Sequence, residues 1–140
     1  ARGVGLAQGA FDHARSFVMA RRAFGQKVSD FQGIRWMLAD MAIQIEASRL
    51  LVYKAAAMVD AGVRGKPLAT MAAMAKTHSS DTAMRVATDA VQLFGAAGIS
   101  ADYPIGRYFR DAKVLQIIEG TNQIQRNIIA KNLVEQAAGA

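Results

Sequence analysis

Cysteine is absent from the 140 residues. That excludes disulfides, thiol nucleophiles and Cys-ligated metals, and it fits a reducing compartment. Proline is scarce, at Pro67 and Pro104 only. Long proline-free stretches rich in Ala, Met, Leu and Ile therefore read as helix. No apolar run approaches the roughly 18 residues that a bilayer span needs. No basic-then-apolar leader opens the chain. It starts Ala1-Arg2-Gly3, without Met, with a helical pattern already running, so the start reads as the cut edge of a larger protein. Acidic side chains are in deficit, 11 against 17 basic, for a net charge of +6. Such a balance suits phosphate-bearing cofactors, nucleic acid or acidic membranes, or else a solvated basic face.

What is present is apolar bulk: 52% hydrophobic residues, too many for a disordered chain. At this length a single domain buries roughly 70% of its unfolded surface. Val4, Ala7, Phe11, Ala14 and Val18 fall at three-and-four spacing, which predicts a helix from Val4 to Phe24 ended by Gly25. A connector follows from Gln26 to Asp30. Ser29 with Gln32 has the pattern of a capping box. A second helix is expected from Phe31 to Asp60, with Ile34, Leu38, Met41, Ile45, Val52 and Val59 on its buried side. Ala61 to Gly65 turn the chain, and Pro67 suits the first turn of a third helix that runs to Phe94. Small residues dominate that helix, so it can pack closely.

The segment Gly95 to Pro104 reads as loop, and a short helix should span Ile105 to Ala112. A last helix, capped by Thr121 or Asn122, should run through Ile124, Ile128, Ile129 and Leu133 and fray over Ala137 to Ala140. No strand, repeat or low-complexity tract is expected. The fold class is all-α: one domain over residues 1–140, an up-and-down bundle of three long helices plus a C-terminal helical pair.

Few residues here can carry chemistry. His13 and His78 lack carboxylates at zinc-site spacing, and no metal site is expected. Gly95-Ala96-Ala97-Gly98 follows a helix rather than a strand, so it is no dinucleotide fingerprint. The unusual segment is Arg107 to Arg126. There an apolar stretch, Val114 to Ile118, interrupted only by Gln116, leads into Glu119-Gly120-Thr121-Asn122. A carboxylate in that setting is a candidate for partial burial, which would raise its pKa toward a useful base. Gly120 lets a ligand approach the backbone, and amides at a helix start suit an anion or a carbonyl oxygen. An ordinary helix-terminal Glu beside a cap is the alternative.

Ile118 to Arg126, reading Ile-Glu-Gly-Thr-Asn-Gln-Ile-Gln-Arg, resembles the signature of the acyl-CoA dehydrogenases. So do Arg110-Asp111-Ala112-Lys113, Arg21-Arg22-Ala23-Phe24-Gly25 with Phe31-Gln32, Leu38 to Ala42, and Gln92-Leu93-Phe94-Gly95. The resemblance covers the chain in order. It implies the C-terminal helical domain of such an enzyme, whose N-terminal helical and middle β-domains are not in this chain. It implies FAD as cofactor and an acyl-CoA substrate oxidised to the trans-2-enoyl-CoA. Electrons would pass to an electron-transfer flavoprotein, in a homotetramer or dimer. Nucleic acid and a membrane span are not among the expected partners. The setting would be the cytoplasm of a bacterium or the mitochondrial matrix of a eukaryote.

Residue by residue, the resemblance makes Glu119 the catalytic base and sets Gly120 against the thioester. Thr121, Asn122 and Gln123 would lie along the flavin. Arg21 and Gln32 match positions that hold the FAD pyrophosphate and adenosine end in a neighbouring subunit. Gln92, Leu93, Phe94, Gly95 and Ala96 match a loop that contacts FAD across that interface. Two residues depart from the family pattern: Ile118 stands where Tyr is usual, and Ala96 replaces a Gly. An oxidase or an enoyl-CoA reductase on the same scaffold, and a non-enzymatic helical interaction domain, are the competing readings.

Overall fold

The computed structural model describes residues 1–138, and five helices dominate it. These are α1 (Arg2–Ala20), α2 (Gln32–Asp60), α3 (Lys66–Phe94), α4 (Ile105–Ile117) and α5 (Asn122–Ala138). The expected bundle of three long helices and a C-terminal pair is what forms. Helix α3 is its axis, touching each of the other four. It carries Ala83, Val86, Ala87 and Ala90, all fully buried, against Ala7, Ala10, Ala14 and Val18 of α1. Residues without bulk let the two helices approach. A Cβ on Gly3 would lie 2.6 Å from the backbone oxygen of Ser79, so only glycine permits that crossing. Met41 and Ile45 of α2 and Ile105 and Ala112 of α4 complete the core. Full burial of a side chain such as Met41 contributes about 1.5–3 kcal/mol.

Several expectations need correction. Helix α1 stops at Ala20, not Phe24, and Arg21 is already extended. Two short strands follow, β1 (Arg22–Ala23) and β2 (Gln26–Lys27), paired antiparallel. Phe24 and Gly25 both have positive φ, 52° and 82°, as a tight two-residue hairpin turn requires. Gly25 thus turns a hairpin rather than ending a helix. The Ser29–Gln32 capping box does not form. Ser29 lies in a single 3₁₀ turn (Val28–Asp30), Phe31 caps α2, and no side chain caps there.

Of the residues expected on the buried side of α2, Val59 is exposed. Pro67 does occupy the first turn of α3. Residues Gly95–Gly98 form another 3₁₀ turn rather than loop. Helix α4 continues past Ala112 to Ile117, because Val114 and Leu115 keep its periodicity. Along α5, Ile124 and Leu133 are exposed, so the apolar residues of this helix are only partly covered by this chain. Ala137 and Ala138 are helical, while Gly139 and Ala140 lie outside the described residues.

Candidate functional site

Helix α4 ends because Ile118 swings into an extended conformation, ψ 163°. Glu119 then takes φ 56° and Gly120 φ 86°. Two successive left-handed residues reverse the chain into α5. Gly120 adopts this at little cost, but a left-handed glutamate costs about 1–3 kcal/mol and persists only where its surroundings hold it. Thr121 accepts the Ile124 N–H on its Oγ1 at 3.3 Å, which makes it the side-chain cap of α5. Gln125 reaches back and donates from Nε2 to the Glu119 carbonyl at 3.2 Å.

The turn is also tied to α3. Asp81 accepts from Gln116 Nε2 and from Asn122 Nδ2, both at 2.7 Å on Oδ1, and from Arg126 Nη2 at 2.6 Å on Oδ2. Asn122 is 3% exposed and is itself held by Lys76, whose Nζ donates to Oδ1 at 2.6 Å. Burial pushes the Asp81 carboxyl up. The three hydrogen bonds and the Arg126 charge outweigh it, so the group sits below its ordinary range. Burial lowers the Lys76 ammonium, against the attraction of Asp81 and Glu119.

The Glu119 carboxylate, 63% exposed, points out of the bundle and pairs with Arg2 Nη1 at 3.2 Å. The partial burial expected from its apolar flank is therefore not found in this chain. Unwinding at Ile118 carries the side chain outward, and none of the described residues lies over it. Beside it runs a cleft of about 430 Å³, lined by Arg2, Gly3, Lys76, Ser79, Ser80 and Leu115 among others. Its walls come from α1, α2, α3 and α4.

A second cleft, about 320 Å³, lies at the far end of α3 and gathers Arg21, Gln92, Leu93, Phe94, Gly95 and Ala96. Here the structure brings together residues far apart in sequence. Arg21 is exposed and has no ion-pair partner among the described residues. Leu93 and Phe94 are buried, with Phe94 stacked on Phe17 at 4.1 Å, so they floor the cleft rather than project from it. Gly95, φ 60°, has open space where a side chain would stand. Gln32 is exposed at the start of α2 and does not line this cleft. Lys76 and Gln92, markers of the two clefts, are about 24 Å apart at roughly 1.5 Å per helical residue.

Asp81, Lys76 and Gln116 were not expected at the site. Gln116, the one polar interruption of an apolar stretch, was the available signal. Of the histidines, His13 packs edge-on to Tyr108, while His78 has a buried Nε2 without a hydrogen-bond partner among the described residues. Among the described residues no group of three His, Asp or Glu could hold a metal, and no helix is long and apolar enough to cross a membrane.

Comparison with known proteins gives this geometry a context. The family model for the acyl-CoA dehydrogenase C-terminal domain matches residues 1–134. A probable acyl-CoA dehydrogenase of Mycobacterium tuberculosis is 51% identical over 135 residues, which are 96% of this chain and 34% of that protein. The solved butyryl-CoA dehydrogenase of Megasphaera elsdenii is 45% identical with a TM-score of 0.91, over 94% of this chain and 34% of that one. A chain from structural work on the electron transferring flavoprotein of Acidaminococcus fermentans is 46% identical with a TM-score of 0.90, over the same shares. The chain thus spans about a third of the length of the relatives it matches.

Proposed function

The chain belongs to the acyl-CoA dehydrogenase family, as its C-terminal helical domain, and from that premise we propose that it supplies the base, Glu119, for FAD-dependent α,β-dehydrogenation of an acyl-CoA thioester. The observation that carries this reading is the Glu119 turn. A carboxylate is held in a costly left-handed conformation at the mouth of a cleft, instead of folding back onto its helix. Backbone strain of this kind marks sites where a side chain must point one way. Glu119 takes the α-proton of the thioester onto a carboxylate oxygen, and Gly120 leaves room for the thioester to lie against the backbone.

The residues present fit FAD. The second cleft offers a guanidinium without an ion-pair partner among the described residues, an outward amide and an open glycine, and a guanidinium's planar fork suits a diphosphate. Arg21 and Gln32 would hold the pyrophosphate and adenosine end, and Gln92 to Ala96 would form the adjoining wall. Leu93 and Phe94 would contribute through their backbone, since their side chains belong to the core. Bound FAD supplies the acceptor for the β-hydrogen as hydride. Thr121 and Gln123 would face the flavin at the start of α5, and Asn122 would offer only its backbone, because its side chain is spent on α3. The separation of the two clefts suits residues that serve two different flavins in a homotetramer or dimer.

An electron-transfer flavoprotein is the proposed acceptor, consistent with the relative found in structural work on such a protein. The test uses the full-length protein of which this is one domain. It should purify with a flavin spectrum, and an acyl-CoA should bleach that flavin without oxygen and yield the trans-2-enoyl-CoA. Absence of flavin, or bleaching without enoyl product, would overturn the proposal. Faster reoxidation by dioxygen than by an electron-transfer flavoprotein would make the enzyme an oxidase. The 140-residue chain alone should not bleach added FAD.

A further inference from the structure

We infer that Asp81 is the positioning residue for Glu119, an inference that rests on the base assignment above. Glu119 and Gly120 form a turn of two consecutive left-handed residues, which Gln125 braces from α5 through the Glu119 carbonyl at 3.2 Å but does not fasten to the rest of the bundle. Apolar packing does not hold it either. Glu119 and Gly120 are exposed, and α5 just beyond them leaves Ile124 exposed. What fastens both ends of the turn to α3 is one carboxylate. Asp81 binds Gln116 on the entry side and Asn122 and Arg126 on the exit side, at 2.6–2.7 Å. Entry and exit are thus pinned to the same point of α3, the rigid axis of the bundle.

The chemistry of the group matters. A carboxylate only accepts, and it offers about four lone-pair sites. It can take an amide, a second amide and a guanidinium together. An asparagine at position 81 has one acceptor oxygen and an NH₂ that must face at least one of those donors, whichever way it is turned. It fills the same space, but one orientation deserts Arg126 and the other deserts both Gln116 and Asn122, and the bonds that remain are no longer charge-assisted. Lys76 reinforces the exit side through Asn122 Oδ1 at 2.6 Å. Asp81 itself does not reach the cleft beside Glu119. It acts through the backbone path of the base, and displacing a reacting group by about 1 Å costs on the order of 100-fold in rate.

The experiment compares full-length holoenzymes carrying D81N, Q116A and E119Q, read by the rate of flavin bleaching per bound flavin at saturating acyl-CoA. KM, α-proton exchange with solvent, FAD content and Tm are measured beside it. D81N should keep FAD and a KM within about threefold of the parent, while bleaching and α-proton exchange slow together by about 10- to 100-fold. Q116A, which frees only the entry side, should slow them less, with Tm nearly unchanged. A D81N enzyme that bleaches within twofold of the parent overturns the inference. So does one that loses FAD or Tm yet keeps its rate per bound flavin, because that is a purely structural role. If D81N does not retain FAD, Q116A decides: slowed bleaching at unchanged Tm supports the inference, and an unchanged rate overturns it. E119Q separates the two claims. Ordinary bleaching by E119Q removes the base assignment and this inference with it. An inactive E119Q beside full-rate D81N and Q116A removes only the inference.

Discussion

Helix α3 is gripped in two ways. Against α1 it presents alanines and valine, fully buried, with Gly3 admitting the backbone of Ser79 at the crossing. Against α5 it presents polar anchors: Asp81 to Asn122 and Arg126, Thr70 to Asn132, and Lys66 to Glu135. The first contact is non-directional and fixes how close the helices lie. The second is directional and fixes where one turn of backbone goes. A domain that only had to be stable could dispense with the second kind. One that must aim a carboxylate could not, because apolar packing tolerates small slips that a hydrogen-bonded anchor does not.

The contrast can be broken from either side. The largest stability effect should come from G3A in the full-length protein, since the new methyl meets backbone rather than a flexible side chain. Overpacking there should cost about 1–3 kcal/mol, read by denaturant unfolding, with the rate per bound flavin close to the parent's. N122A should follow. It deserts Lys76, Ser80 and Asp81 together and should cost on the order of 1–3 kcal/mol, but with slowed flavin bleaching as well. Equal stability losses with unequal losses of rate would sharpen the comparison, and equal losses of both would erase it.

A smaller effect concerns pH. The Asp81 carboxyl sits below its ordinary range in the folded state, so its contribution is present above the unfolded value and is lost as pH falls through the folded one. Acid unfolding below about pH 4 should therefore be less steep in D81N than in the parent when Tm is followed against pH. Identical acid limbs would show that Asp81 gains nothing from its donors. The smallest effect should be R2A. Its pair with Glu119 is exposed on both sides, and stability should change by no more than about 0.5 kcal/mol, measured by the same unfolding curves.

Most of the bundle was legible in the sequence because its signals are local. Scarce proline, three-and-four spacing and Pro67 at a first turn locate the helices. The hairpin was not legible. Phe24 is a residue that disfavours positive φ, and only its pairing context makes it turn. The end of α4 was misplaced because Val114 to Ile117 read as an apolar stretch of the site rather than as further helix. The candidate site was half legible. Glu119 to Gln123 announce themselves by motif, and Arg21 with Gln92 to Ala96 by resemblance. Asp81 does not, since its partners lie 35 to 45 residues away and its surroundings read as ordinary small-residue helix. The exposure of Glu119 was also hidden, because apolar neighbours in sequence say nothing about which way an unwound helix end points.

The most direct measurement of the central claim is anaerobic flavin bleaching by an acyl-CoA in the full-length E119Q enzyme, with FAD content checked by absorbance. If Glu119 is the base, FAD stays bound and bleaching slows by about 10²–10⁴-fold, with α-proton exchange lost in step. Bleaching at the parent's rate, with FAD bound, would contradict the account.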